Sequence, residues 1–179
     1  RAILINAGNA NCATRTGDRV ALATCRAAAK LLRAPLEQVL PASTGVIGVE
    51  LDPQLITNAL PGLVERLALN RFADVAQAIL TTDLRPKTAF AELSVGGGVV
   101  RIAGLTKGSG MIHPRMATTL GFLMTDAAIA PRDLKPILAA ATGRSFNRLS
   151  VDGDTSTNDT VVLLANGASG LKPDRKQRL

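Results

Sequence analysis

A lysine, two glycines and two hydroxyl side chains lie close together in the stretch Lys107–Thr118, KGSGMIHPRMAT. Glycines beside a lysine and a serine are typical of loops that bind phosphate through backbone N–H groups. In the GxxxxGK[ST] loop, however, the lysine follows the glycines, whereas Lys107 precedes Gly108 and Gly110. Residue types alone therefore favour an ordinary glycine-rich turn over a nucleotide site.

Two other polar features could carry chemistry. The lone histidine, His113, has the side chain most often used as a general base, but we interpret it as structural. The segment Asp152–Asp159 is dense in oxygen ligands and resembles a calcium loop, although it lacks the bidentate glutamate at the twelfth position of an EF-hand. We therefore predict no metal at this segment.

Five segments, taken in order, resemble the ornithine acetyltransferases, a family of self-cleaving N-terminal-nucleophile enzymes of arginine biosynthesis. No single segment is specific, but their order and spacing together are, and they cover nearly the whole chain. The segments are 6–11 (NAGNAN), 43–48 (STGVIG), 78–83 (AILTTD), 107–126 (beginning KGSGMIHPRMAT) and 145–160 (SFNRLSVDGDTSTNDT).

The resemblance implies that Thr118 is a nucleophile released by self-cleavage of the Ala117–Thr118 bond. A threonine hydroxyl needs a base, and a terminal threonine has one in its own α-amine, whose pKa is about 7.7–8.0. In the intact chain this amine is held in a peptide bond. Attack of the Thr118 hydroxyl on the preceding carbonyl, followed by hydrolysis, would free it. Without the resemblance, Thr118 would be an ordinary strand-initiating threonine.

The family's reaction is an acetyl exchange, and the resemblance assigns residues to it. Thr118 would take the acetyl group from N-acetylornithine and pass it to glutamate, with no cofactor, although acetyl-CoA is an alternative donor. Thr44 and Gly45 would donate hydrogen bonds to the tetrahedral oxyanion. Lys107 would bind a substrate carboxylate. Thr81 would also bind substrate, with Thr82 as the alternative if the alignment is shifted by one residue.

Two alternatives stay open beside the acetyltransferase. Self-cleaving aminopeptidases share the fold and the terminal nucleophile but pass the acyl group to water. The chain could also be an inactive fragment, because it opens inside a strand-like segment without methionine and the family's second half is absent. The cleaved chains of the intact enzyme would form an α2β2 heterotetramer. The family usually has asparagine at the position of Arg115 and methionine at that of Thr119.

Composition excludes several other classes of protein. The 179 residues are 46% hydrophobic and 20% charged, which is typical of one globular domain, and they contain no run long enough for a membrane span. The net charge of +7 could indicate nucleic-acid binding, but four phenylalanines are the only aromatic side chains for stacking. We therefore predict neither a nucleic-acid nor a membrane partner. The two cysteines have no metal or disulfide spacing, which favours a reducing, cytoplasmic location.

Helices and strands alternate along the chain, which predicts a mixed α/β fold with helices packed on stacked β-sheets. Strands are expected at 2–6, from 39 towards 49, in a hairpin over 89–105, and at 119–124, 149–151 and 161–165. Helices are expected up to Arg33, from Asp52 to an interruption at Pro61, over 72–79, and from Asp133 to Thr142. We predict a single domain, 1–179, truncated at both ends. Residues 1–117 would end the α-chain and 118–179 would begin the β-chain.

Overall fold

The computed structural model describes residues 1–114, 119–155 and 157–174. The chain divides into two compact units, Arg1–Thr81 and Thr82–Leu179. Each unit contains both helices and strands, which confirms the mixed α/β class. The assignment of all 179 residues to one domain, and its division at Thr118, stay predictions.

The first unit contains a parallel pair of strands joined by a helix. Strand β1 (Ala2–Asn6) pairs with β2 (Val39–Ser43), so that both strands end at the same edge. Helix α1 (Gly17–Leu32) connects them, because parallel neighbours need a crossover. Only the first part of the extended segment predicted from Val39 is therefore a strand. The side chains that α1 buries recur at helical spacing: Val20, Thr24, Cys25, Ala28 and Ala29.

Helix α2 (Pro53–Glu65) begins as its sequence predicts but does not end where we expected. Asp52 caps it, accepting a hydrogen bond from the Gln54 N–H at 2.9 Å, and Pro53 occupies the first turn. The helix continues through Pro61, so the predicted interruption is wrong. Burial outweighs the lost N–H donor, since Leu60 is 3% exposed and belongs to the core cluster that contains Cys25. Helix α3 (Phe72–Ala78) confirms the helix predicted over 72–79.

The second unit is built on a four-stranded sheet in the order β3-β4-β5-β6. Strands β3 (Lys87–Val95) and β4 (Gly98–Lys107) form the predicted hairpin, and both glycines of its two-residue turn have positive φ. Strand β5 (Leu120–Thr125) is antiparallel to β4, and β6 (Thr160–Ala165) is parallel to β5. Val95, Val100 and Ala127 form a buried cluster against this sheet.

Helix α4 (Pro131–Arg144) follows β5 in the chain, and its start differs from the prediction. It begins two residues before Asp133, because Pro131 takes the first helical position, where its fixed φ suits the helix. The predicted strand at 149–151 is absent from the described residues. A 3-10 turn precedes it, and Leu149 and Val151 are about half exposed, at 49% and 61%. Of the helices in the described part of the chain, none combines the length and the apolar character needed to cross a bilayer.

Candidate active site

The carboxyl ends of β1 and β2 lead into two loops that are bonded to each other. The Thr44 N–H donates to the Asn6 carbonyl at 2.9 Å, and the Ala10 N–H donates to the Val46 carbonyl at 2.8 Å. The Asn9 side-chain amide donates to the Val49 carbonyl at 2.9 Å. Because β1 and β2 are parallel, the topology brings the segments 6–11 and 43–48 of the sequence motifs together at one edge.

Gly45 packs closely against the loop that follows β1. It has a φ of +126°, a conformation that residues with a side chain rarely adopt. A Cβ atom at this position would lie 2.5 Å from the carbonyl carbon of Gly8 and 2.8 Å from the backbone nitrogen of Asn9. Both neighbours are backbone and cannot turn aside. Only glycine fits here without moving a loop.

The two donors predicted for an oxyanion are Thr44 and Gly45, which are adjacent at this edge. Thr44 is 4% exposed, and its N–H is already used by the Asn6 carbonyl. Within residues 1–114, 119–155 and 157–174, nothing bonds to the Thr44 hydroxyl or to the Gly45 N–H. Both donors are therefore available to an acceptor from outside this set.

Replacing Gly45 with alanine should lower the free energy of unfolding by at least about 3 kcal/mol, because a backbone overlap adds to an unfavourable φ. Gly48→Ala is the matched control. Gly48 also has a positive φ, of +75°, but nothing lies within 4 Å of the added Cβ. The Gly48→Ala substitution should lower the free energy of unfolding by only about 1–2 kcal/mol. Chemical denaturation of both variants measures the difference, and equal losses would show that the contact with Gly8 does not constrain the loops.

In the second unit, three of the four strands, β3, β4 and β6, place polar side chains at one end of the sheet. Lys107 is the last residue of β4 and pairs with Leu120, the first of β5, which in turn pairs with Thr160, the first of β6. Lys87 begins β3 and lies opposite Thr106. The loop 108–119, which contains the predicted processing bond, therefore starts and ends at paired strand ends.

Lys107 is buried at this end of the sheet. Its exposure is 2%, which is unusual for a lysine without compensating charges. Burial lowers the pKa of Lys107, while the carboxylates of Asp83 and Asp159 raise it and so offset part of that effect; the nearby cation Lys87 lowers it further. The two carboxylates therefore stabilise the charged form of the buried ammonium.

Asp83 is the most buried carboxylate of this end, with a side chain that is 0% exposed. It accepts hydrogen bonds from the Lys87 ammonium and from the Gly108 N–H, the latter at 2.8 Å. Burial opposes its ionisation, but these bonds outweigh burial and hold the pKa of Asp83 below its usual value. The Lys87 ammonium also donates to the Gly108 carbonyl at 3.1 Å, so the start of the loop is fixed on both sides.

Two further carboxylates hold the loop on either side of residues 115–118. Asp152 accepts from the N–H groups of Met111 and Ile112 at 2.6 and 3.1 Å. These bonds lower the pKa of Asp152 below its usual value. Asp159 accepts from the Thr119 N–H at 3.0 Å. The sequence analysis predicts no metal at this acidic segment and assigns none of these hydrogen bonds to its carboxylates.

The signal that could have found these carboxylates is their position. Asp159 lies immediately before β6, and Asp83 lies four residues before Lys87, the first residue of β3, where loops need acceptors for unpaired N–H groups. Among the described His, Cys, Asp and Glu side chains, no group of three or more is arranged to hold a metal ion.

The remaining predicted residues are distributed as follows. Thr81 is exposed at the end of the first unit. Thr82 begins the second unit, where its hydroxyl lies 2.7 Å from that of Ser109. His113 is exposed. The nucleophile and its cleavage partner, Thr118 and Ala117, lie outside the described residues, so their roles stay predictions.

Comparison with known proteins gives the family. The model of the ArgJ family matches residues 1–179, which is the whole chain. The chain belongs to the ArgJ family. The five motifs that suggested ornithine acetyltransferases are thus parts of one continuous match, and the predicted resemblance is confirmed.

Individual members of the family are similar along nearly all of the chain. The arginine biosynthesis bifunctional protein ArgJ of Symbiobacterium thermophilum is 48% identical over 171 residues, covering 95% of this chain and 42% of that protein. The glutamate N-acetyltransferase of Methanococcus maripaludis strain C6 is 48% identical over 175 residues, covering 96% of this chain and 43% of that protein. The chain therefore spans less than half the length of these ArgJ-family relatives.

A solved structure shares the fold. The crystal structure of the arginine biosynthesis bifunctional protein argJ from Bacillus halodurans superposes with a TM-score of 0.57 at 35% sequence identity. The match covers 64% of this chain and 61% of that one. The mixed α/β architecture described above is thus an ArgJ-family architecture.

Proposed function

We propose that this chain is part of an acetyltransferase that moves an acetyl group from N-acetylornithine to glutamate through an acetyl-threonine intermediate. The observation that carries the proposal is the ArgJ-family match across all 179 residues. Relatives that are about half identical are named as bifunctional ArgJ proteins of arginine biosynthesis and as glutamate N-acetyltransferases.

Activation begins with cleavage of the Ala117–Thr118 peptide bond. The Thr118 hydroxyl adds to the Ala117 carbonyl, and the peptide C–N bond breaks to leave an ester and a free α-amine on Thr118. Water then hydrolyses the ester, which yields a carboxylate on Ala117 and regenerates the hydroxyl. The new amine accepts the proton of that hydroxyl in each later attack, because its pKa is close to neutrality.

The exchange then runs in two acyl-transfer steps. Thr118 attacks the acetyl carbonyl of N-acetylornithine, and ornithine leaves with the proton held by the amine. The amine of glutamate attacks the acetyl ester in turn and restores Thr118. Each step passes through an oxyanion, for which Thr44 and Gly45 supply a hydroxyl and an N–H that are free among the described residues.

The substrates are amino acids, so each brings a carboxylate that needs a cation. Lys107 supplies it, and its burial supports this role, since a desolvated ammonium interacts more strongly with an anion than a solvated one does. Thr81 adds a hydrogen bond to substrate, with Thr82 as the alternative. No cofactor takes part, and acetyl-CoA is a second acetyl donor to be tested. The cleaved chains assemble as an α2β2 heterotetramer in the cytoplasm.

The test uses the full-length protein, incubated with N-acetylornithine with and without glutamate. With glutamate, we expect one N-acetylglutamate for each N-acetylornithine consumed. Without glutamate, ornithine release should stop after about one equivalent per active site, because the acetyl group stays on the enzyme. Continued release of acetate without glutamate would instead identify a hydrolase, the alternative that shares this nucleophile.

A further inference from the structure

The polar segment before β6 is bonded to the loop 108–119 on both sides of residues 115–118. On the N-terminal side of residues 115–118, the Asp152 carboxylate accepts hydrogen bonds from the Met111 and Ile112 N–H groups at 2.6 and 3.1 Å. The Val151 N–H also donates to the Ile112 carbonyl at 2.9 Å. Three bonds thus tie the loop to the stretch 151–152 before it enters the processing motif.

On the C-terminal side of residues 115–118, Asp159 and Thr160 bind both backbone polar groups of Thr119. The Asp159 Oδ1 atom accepts from the Thr119 N–H at 3.0 Å, and the Thr160 N–H donates to the Thr119 carbonyl at 2.9 Å. Thr119 is 5% exposed, so water competes little with these bonds. The next residue, Leu120, is fully buried and begins β5 in register with Thr160.

We propose that Asp159 is a positioning residue for the nucleophile, a role that rests on the proposed function of Thr118. The nitrogen that Asp159 holds belongs to the peptide bond between Thr118 and Thr119, so this bond fixes the residue that follows the proposed nucleophile. The hydroxyl of Thr118 must reach the carbonyl of the residue before it, and a displacement of about 1 Å can cost about a hundredfold in such a reaction.

The bond between Asp159 and the Thr119 N–H also has a role after cleavage. Thr118 then becomes a chain terminus, and termini that are not tied down are poorly ordered. Asp159 holds the first peptide unit of the new chain, and Thr160 holds the second through the Thr119 carbonyl. Asp152 holds Met111 and Ile112 on the other side of the proposed cut. The two aspartates therefore fix described residues on either side of the cut by separate bonds.

Variants of Asp159 separate the hydrogen bond from the charge and from folding. Asp159→Asn keeps an amide oxygen that can accept from the Thr119 N–H, while Asp159→Ala has no acceptor. Asp154→Ala is the matched control, because Asp154 is an exposed carboxylate of the same segment whose described bond uses its backbone N–H alone. Each variant is made in the full-length protein beside wild type and Thr118→Ala.

Processing is measured as the rate at which the second chain, beginning at Thr118, is formed. The free energy of unfolding is measured on the same samples. We expect Asp159→Ala to slow processing by between about tenfold and a hundredfold, and Asp159→Asn and Asp154→Ala to stay within about threefold of wild type. Processing of folded Asp159→Ala at the wild-type rate would overturn the inference, as would equal slowing in folded Asp159→Asn. If wild type itself is not cut before Thr118, the proposed function fails instead.

Discussion

Replacing Thr118 with alanine is expected to leave the full-length protein as a single uncut chain with no measurable acetyl exchange. Alanine has no hydroxyl to attack the Ala117 carbonyl, so neither the ester nor the free amine can form. Exchange should fall by about three orders of magnitude or more, because the nucleophile and its base are lost together. Mass spectrometry of the purified protein, with sequencing of chain termini, measures the cleavage directly.

Two controls make the result for Thr118 specific. Thr118→Ser keeps a hydroxyl and should still be cut at the same bond. Thr119→Val removes the neighbouring hydroxyl at nearly constant volume and keeps the backbone N–H bonded to Asp159. The Thr119→Val variant should also be cut at the Ala117–Thr118 bond. Appearance of the same second chain in Thr118→Ala would contradict the assignment of the nucleophile.

Replacing Lys107 with methionine is expected to raise the KM for both N-acetylornithine and glutamate by about ten- to a hundredfold. This range corresponds to the loss of a charge-assisted hydrogen bond, about 1.5–3 kcal/mol. Methionine fills similar volume in the buried position but brings no cation. Steady-state kinetics over a range of both substrates measures the effect. Wild-type KM values in a folded variant would remove Lys107 from the substrate site.

The pKa of Lys107 also predicts how substrate affinity depends on pH. Burial lowers this pKa, so the ammonium should be lost, and affinity with it, at a lower alkaline pH than for a solvated lysine. Asp83→Asn removes a charge that raises this pKa and should move the loss of affinity to lower pH. Lys87→Met removes a charge that lowers it and should move the loss to higher pH. Shifts of the same sign in both variants would contradict the proposed electrostatics.

Much of the fold could be predicted from local patterns in the sequence. The strand 2–6, the capped start of α2 at Asp52 and the Gly96-Gly97 hairpin each follow from residues within a few positions of one another. One error came where a distant contact decides. Pro61 stays helical because Leu60 packs in a core that includes residues of α1, and no local rule contains that contact.

The candidate site was less accessible to sequence reasoning than the fold. Residue types alone favoured a glycine-rich turn at 107–118, and the nucleophile was assigned through family resemblance. The carboxylates Asp83, Asp152 and Asp159 could not be assigned, because their partners are backbone N–H groups 25–41 residues away in the chain, set by strand register. Gly45 was expected to present its N–H, but its close contact with Gly8 emerged only from the packing of two loops.

The most direct test of the central claim, that Thr118 carries the acetyl group, is to trap that group on the enzyme. The full-length protein is incubated with N-acetylornithine in the absence of glutamate, quenched in acid and digested. We expect the peptide beginning at Thr118 to gain the mass of one acetyl group. Hydroxylamine should remove this group, because it is held as an ester. An unmodified peptide in an enzyme that exchanges acetyl groups at full rate would show direct transfer and contradict the covalent route.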